Sequence, residues 1–187
     1  NDQQQRSDDE IKFYYDQLEK YSIFIRNDKV YSWNDLRGII EHTMQKVSNI
    51  KSIIIDPYNS LRVDKQALGQ LSTHDYHYEV ASEMRVKQQE WGVRLVVNMH
   101  PATEAARRVI KENGHPYNGY ADFPKASDAE QGAKWKNRAD DFIIFHRLTN
   151  QPSDSNTIFV NVDKIKTVFK GGNTTIHDTQ HLWIHVI

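Results

Sequence analysis

The chain has 187 residues, 38% of them hydrophobic and 26% charged, which suits one domain with a real core and leaves no room for two large ones. Its 24 basic and 25 acidic residues nearly cancel, so attachment to nucleic acid by bulk charge is excluded and any such surface must be local. The absence of cysteine excludes a disulfide scaffold, a thiolate zinc site and a cysteine nucleophile, and no apolar run is long enough to span a membrane. Asn1 to Glu10 are polar with no apolar signal core behind them, and are expected to form an exposed terminus. Ser7 with Glu10 reads as a capping box opening a helix to about Tyr21, with Ile11, Tyr14, Tyr15 and Leu18 at helical spacing. Ser22 to Ile25 is a short strand candidate. Ser32 with Asp35 repeats the capping pattern before a second helix, whose apolar face is Leu36, Ile39, Ile40, Met44 and Val47. The unbroken run Ser52-Ile53-Ile54-Ile55 then predicts a parallel strand buried on both faces and closed by Asp56.

Residues 74–91 predict a long helix stopped by Gly92, and Val93 to Met99 a second buried strand closed by His100-Pro101. A short basic helix is expected over 102–112, carrying Arg107, Arg108 and Lys111, followed by a Gly-, Pro- and Tyr-rich loop over 113–126 that is long for an idle connection. Ser127 with Glu130 predicts a further helix cap, and strands are expected at 142–146, 158–162 and 181–186. Helices and strands alternate early and strands follow alone late, which argues an α/β fold: a parallel sheet with antiparallel C-terminal strands. Ligands of such sheets collect beyond the carboxyl ends of the strands, where this sequence puts Asp56 and His100. An Asp there suits the water shell of Mg²⁺, and a polar group on the next strand end suits contact with a γ-phosphate. A strand-terminal turn acid and a turn histidine are the bland alternatives. His74 with His77, and His177 with His181, have metal-like spacing but no third ligand nearby, and Trp91, Trp135 and Trp183 read as core or interface anchors.

Four segments in order carry a resemblance. Ile53-Ile54-Ile55-Asp56-Pro57-Tyr58-Asn59-Ser60-Leu61 resembles the Walker B segment of RecA-like replicative helicases, the DnaB-like and phage or mitochondrial primase-helicase families. Val96-Val97-Asn98-Met99-His100-Pro101 is similar to their next strand. Gly132 to Asp140 with Phe142 to Arg147 is similar to their Gly-rich helix start and the strand ending in His-Arg. Val162-Asp163-Lys164-Ile165-Lys166, with Gly171-Gly172 beyond, is similar to the strand bearing a Lys-x-Arg pair. The resemblance covers roughly Ser22 to the C-terminus.

The resemblance implies a RecA-like P-loop NTPase core in a bacterial or phage-encoded helicase of the bacterial cytoplasm, working as a hexameric ring on single-stranded DNA with ATP or another nucleoside triphosphate, and with primase as a further partner. It implies that Asp56 holds Mg²⁺ through water, that Asn59 lies at the nucleotide, and that His100 senses the γ-phosphate. Lys164, Lys166 and Arg147 would reach the neighbouring subunit's nucleotide. Lys166 stands where an arginine is usual, which keeps the charge and loses the bidentate fork. The 113–126 loop and its flanks, with Arg107, Arg108, Lys111, Tyr117 and Lys125, would grip phosphates and stack bases. No Gly-x-x-x-x-Gly-Lys-Ser/Thr loop is present, so the core is partial, with the Walker A half missing, and on its own is expected neither to bind ATP tightly nor to hydrolyse it. A non-catalytic RecA-like module that recruits DNA or a replication partner is the alternative, and a metal hydrolase using Asp56 and His100 ranks third.

Overall fold

Both Ser-x-x-acid patterns near the N-terminus form capping boxes. Ser7 caps α1 (Asp8–Tyr21) and Ser32 caps α2 (Trp33–Lys46), where the Asp35 carboxylate accepts from the Ser32 backbone N–H at 2.8 Å. Each box pairs N–H groups that the first turn of a helix leaves without an internal partner. The computed structural model describes residues 7–26, 28–129, 133–147, 157–166 and 182–185. The chain divides into two units, Asn1–Val30 and Tyr31–Ile187.

In the first unit α1 buries none of its residues, and its apolar side chains, among them Tyr15 and Leu18, are exposed. The strand expected at Ser22 to Ile25 does not form. A strand exists through its ladder, and these apolar residues meet no neighbouring strand there.

In the second unit, α2 leads into β1 (Ser52–Ile55), which pairs in parallel with β2 (Arg94–Val97) in the register Ser52 to Arg94 through Ile55 to Val97. Between the two strands run a 3-10 turn (Tyr58–Ser60), the short α3 (Lys65–Leu68) and α4 (Thr73–Trp91). Gly92 ends α4 in the left-handed conformation, φ 63°, where a residue without Cβ is favoured. The core gathers Trp33 and Ile40 of α2 and Tyr76, Val80, Ala81 and Met84 of α4 against Ile55, Tyr58 and Trp135, with Ile53, Leu95 and Val97 packed on it. Both helices therefore cover the same face of the sheet. The opposite face carries Ile54 at 65% exposure and Val96 at 37%. The expectation of strands buried on both faces fails for this reason: among the described residues, nothing covers the second face.

After β2 the chain makes only one helical turn, α5 (Thr103–Ala106), instead of the helix expected over 102–112. From Arg108 the backbone pairs across the loop instead: Ile110 N–H donates to Tyr120 O at 2.9 Å, Gly119 N–H to Ile110 O at 2.8 Å and Asp122 N–H to Arg108 O at 2.9 Å. The adjacent β-branched Val109 and Ile110 suit that extended pairing better than a helix. Ser127 lies within a 3-10 turn (Ala126–Asp128) and caps no helix; the next helix, α6, begins at Ala133 and runs to Arg138. Glu130, Gly132, Gly171-Gly172, His177 and His181 lie outside the described residues. The expected late strands form as β3 (Asp141–Arg147), β4 (Thr157–Ile165) and β5 (Leu182–His185), an antiparallel sheet in that order. On β3 the side chains of Phe142, Ile144 and His146 turn inward while Ile143 and Phe145 are exposed.

Candidate functional site

The ends of β1 and β2 lie side by side, because the ladder between them continues past the last paired residues. Asn98 N–H donates to Ile55 O at 2.9 Å and Tyr58 N–H donates to Asn98 O at 2.8 Å. A side chain then supplies the next rung: the His100 N–H donates to Asn59 Oδ1 at 2.8 Å. The turn between, entered through a cis Asp56–Pro57 peptide, is fixed from beneath by Tyr58. Its buried ring stands edge-on to Trp135 at 4.5 Å, and its hydroxyl lies 2.7 Å from His77 Nδ1. Burial pushes the Tyr58 phenol well above its usual pKa, so it acts there as a neutral hydroxyl.

Asp56 and His100, the two residues singled out at the strand ends, are thereby brought to one corner, and both are exposed. The Asp56 carboxylate makes no hydrogen bond or ion pair with a described residue. A single exposed carboxylate fits Mg²⁺, which keeps most of its water and takes one or two carboxylates beside phosphate oxygens. It does not form a cage, and no cluster of three potential ligands occurs among the described residues. His77, considered as a ligand from its spacing, is the partner of Tyr58. Neither Tyr58 nor His77 is singled out by the sequence as a pair; the signal available was the aromatic directly behind Asp56-Pro57, a position that a turn on the core would bury.

The cations of the second strand pair are engaged within the domain. Lys164 Nζ donates to the carbonyls of Lys136 at 2.7 Å, Asn137 at 3.3 Å and Ala139 at 2.7 Å, closing the C-terminal end of α6. This is where a helix has spare acceptors and a negative dipole end. Burial lowers the Lys164 pKa; Asp140 opposes that shift, while Arg85, Lys166 and Lys136 add to it. Lys166 pairs with Asp140 at 2.9 Å, as does Arg85 at 3.1 Å. Burial pushes the Asp140 carboxyl up, but these cations outweigh it and its pKa falls. Lys136 pairs with the nearly buried Asp163 at 2.5 Å. Arg147 is exposed at the end of β3.

In the 107–126 region the candidate residues separate. Arg108 is held by Asp128 and reaches toward Asp122 at 3.7 Å. Tyr117 packs edge-on to Tyr120, Phe123 and the buried Phe159, with centroids 5.9, 6.3 and 5.3 Å away. These two residues hold the loop to β4. Arg107, Lys111 and Lys125 are exposed.

No protein-family model and no curated protein matches the chain. Solved structures do. One is the ATPase domain of a DnaB-like helicase, with a TM-score of 0.66 and 14% identity over 98% of this chain and 57% of that one. Another is a DnaB-like replicative helicase studied in its interactions with primase, with a TM-score of 0.68 and 14% identity over 99% of this chain and 41% of that one. The chain has the fold of a DnaB-like helicase ATPase domain, and spans 57% and 41% of the two chains it matches.

Proposed function

We propose that this chain is the C-terminal portion of an ATP-dependent replicative helicase motor that moves along single-stranded DNA as a hexameric ring. The single observation that carries the reading is the juxtaposition of Asp56 and His100 at neighbouring parallel strand ends, in a fold shared with helicase ATPase domains. Asp56 holds the water shell of Mg²⁺, which when bound with nucleotide neutralises charge on the β- and γ-phosphates. His100, on the next strand, donates to the γ-phosphate and reports its presence through the backbone toward the 107–126 loop. In that loop Arg107, Lys111 and Lys125 contact DNA phosphates, while Arg108 and Tyr117 keep the loop folded. The chain has no glycine-rich phosphate loop of its own, so the β-phosphate cradle comes from other residues of the working protein.

Lys166 and Arg147 are the groups that would face a neighbouring subunit's nucleotide, Lys166 by exchanging its Asp140 partner for a phosphate oxygen. Lys164, occupied by three carbonyls, supports that surface by capping α6. A primase partner is consistent with the primase-interacting helicase among the structural neighbours. No described helix is long and apolar enough to cross a membrane. A cytoplasmic setting follows from the replication reading itself.

The test is nucleotide hydrolysis by the full-length protein with and without single-stranded DNA, comparing wild type with Asp56→Ala and His100→Ala. Hydrolysis should fall at least about a hundredfold in Asp56→Ala, as expected when a charge-stabilising group is removed. In His100→Ala the basal rate should persist while stimulation by DNA is lost. No hydrolysis by wild type, with DNA binding intact, would instead identify a non-catalytic RecA-like module.

A further inference from the structure

Of the rungs that tie the ends of β1 and β2 together, those from Asn98 to Ile55 and from Tyr58 to Asn98 are made by backbone, and the last is made by the Asn59 side chain. Beyond it the chain leaves β1 altogether, and Pro101 bridges to Ala129. The hold on His100 from the Asp56 side is therefore the Asn59 hydrogen bond. Asn59 is itself well placed to act as a strut. It follows Tyr58, whose ring is buried against Trp135 and whose hydroxyl meets His77, so its backbone is anchored to α4 and α6.

We propose that Asn59 is a positioning residue that fixes the His100 backbone against the Asp56 turn, so that the two strand ends respond to nucleotide as one piece. This rests on the helicase reading of Asp56 and His100, although the contact itself does not. It also replaces the expectation that Asn59 binds nucleotide. The Asn59 side-chain oxygen is turned to the neighbouring strand, and its effect on the reaction passes through His100. Such a link carries coupling because a polar contact at the strand ends is cheap to break and remake, whereas the ladder below it is cooperative.

The experiment uses the full-length protein and the variants Asn59→Ala, which removes the acceptor, and Asn59→Asp, which keeps a carboxylate oxygen at the same position. Asn59→Ala should reduce the stimulation of hydrolysis by single-stranded DNA about tenfold, the size of one lost hydrogen bond, with KM for nucleotide nearly unchanged. Asn59→Asp should restore most of it. Asn59→Ala combined with His100→Ala should be no worse than His100→Ala alone, because the two act through one link. A raised KM with unchanged kcat, or additive losses in the double variant, overturns the proposal in favour of direct nucleotide contact. In parallel, exchange of the His100 backbone amide with deuterium should quicken about tenfold in Asn59→Ala and stay slow in Asn59→Asp. Unchanged exchange in Asn59→Ala overturns the strut. Wild type without hydrolysis overturns the helicase reading and the catalytic half of the proposal, and the exchange rates then decide the structural half alone.

Discussion

His146 turns inward from β3 against Phe123, with ring centroids 5.1 Å apart, and its Nε2 is buried without a hydrogen-bond partner among the described residues. Burial holds its pKa below 6.5, although Ala121 and Asp122 pull the other way. The sign follows directly. Between the depressed folded value and 6.5 the unfolded chain binds more protons, so stability rises with pH across that window. The contribution of neutral His146 is complete above 6.5 and is lost as pH falls through the folded value. His146→Phe, which keeps an aromatic ring beside Phe123 and Phe159, should therefore flatten the change in urea midpoint between about pH 7.5 and about pH 5.5. An unchanged pH dependence would assign it to other groups. The same scale shows why candidate residues were only partly legible. Arg107 and Arg108 are adjacent and chemically identical in the sequence, yet Arg108 is held by Asp128, 20 positions away, and Arg107 is exposed. Such a contact depends on loop closure, and no local pattern encodes it. Asp56 and His100 were legible because strand ends and fold class together fix where they lie.

Elements were legible where local preference and packing agree. The helices α1, α2 and α4 carry caps and the strands carry β-branched runs, and all of them form. The failures are segments whose fate depends on a neighbour. Residues 22–25 have strand composition and no partner strand within their unit, and residues 108–112 were drawn out of a helix by pairing with 119–122. At α6 the reverse holds, since a helix of six residues is too short to persist on propensity and is instead secured from outside. Lys164 does this from β4 through three carbonyls, and Lys136 through Asp163. Lys164→Met, which keeps the apolar stem and removes the donor, should lower unfolding stability by about 1 kcal/mol in a denaturant titration. Lys166→Met removes a half-exposed ion pair and should cost no more than about 0.5 kcal/mol. Equal losses would mean that α6 is not held by the Lys164 cap.

For the molecule as a whole, the decisive feature is that its sheets are covered on one side. Ile53 and Ile55 pack on the helices, while Ile54 between them is 65% exposed and Val96 beside it 37%. Ile143 and Phe145 on β3 are likewise exposed, at 49% and 66%. A run of three isoleucines reads as a strand buried on both faces because its composition answers to the covered state, not to the alternation that a half-solvated strand prefers. The two neighbouring isoleucines therefore make an internal comparison. In the 187-residue chain Ile55→Thr places a hydroxyl in the core and should cost at least about 2 kcal/mol, whereas Ile54→Thr should stay within about 0.5 kcal/mol. If the working protein is a helicase motor with further chain folded over the open face, Ile54→Thr in that protein should cost nearly as much as Ile55→Thr. The two denaturation series, one on the 187-residue chain and one on the full-length protein, would then diverge at position 54 and agree at position 55. A small cost at position 54 in both would show that the open face stays open, which favours a module that acts without a completed nucleotide-binding core.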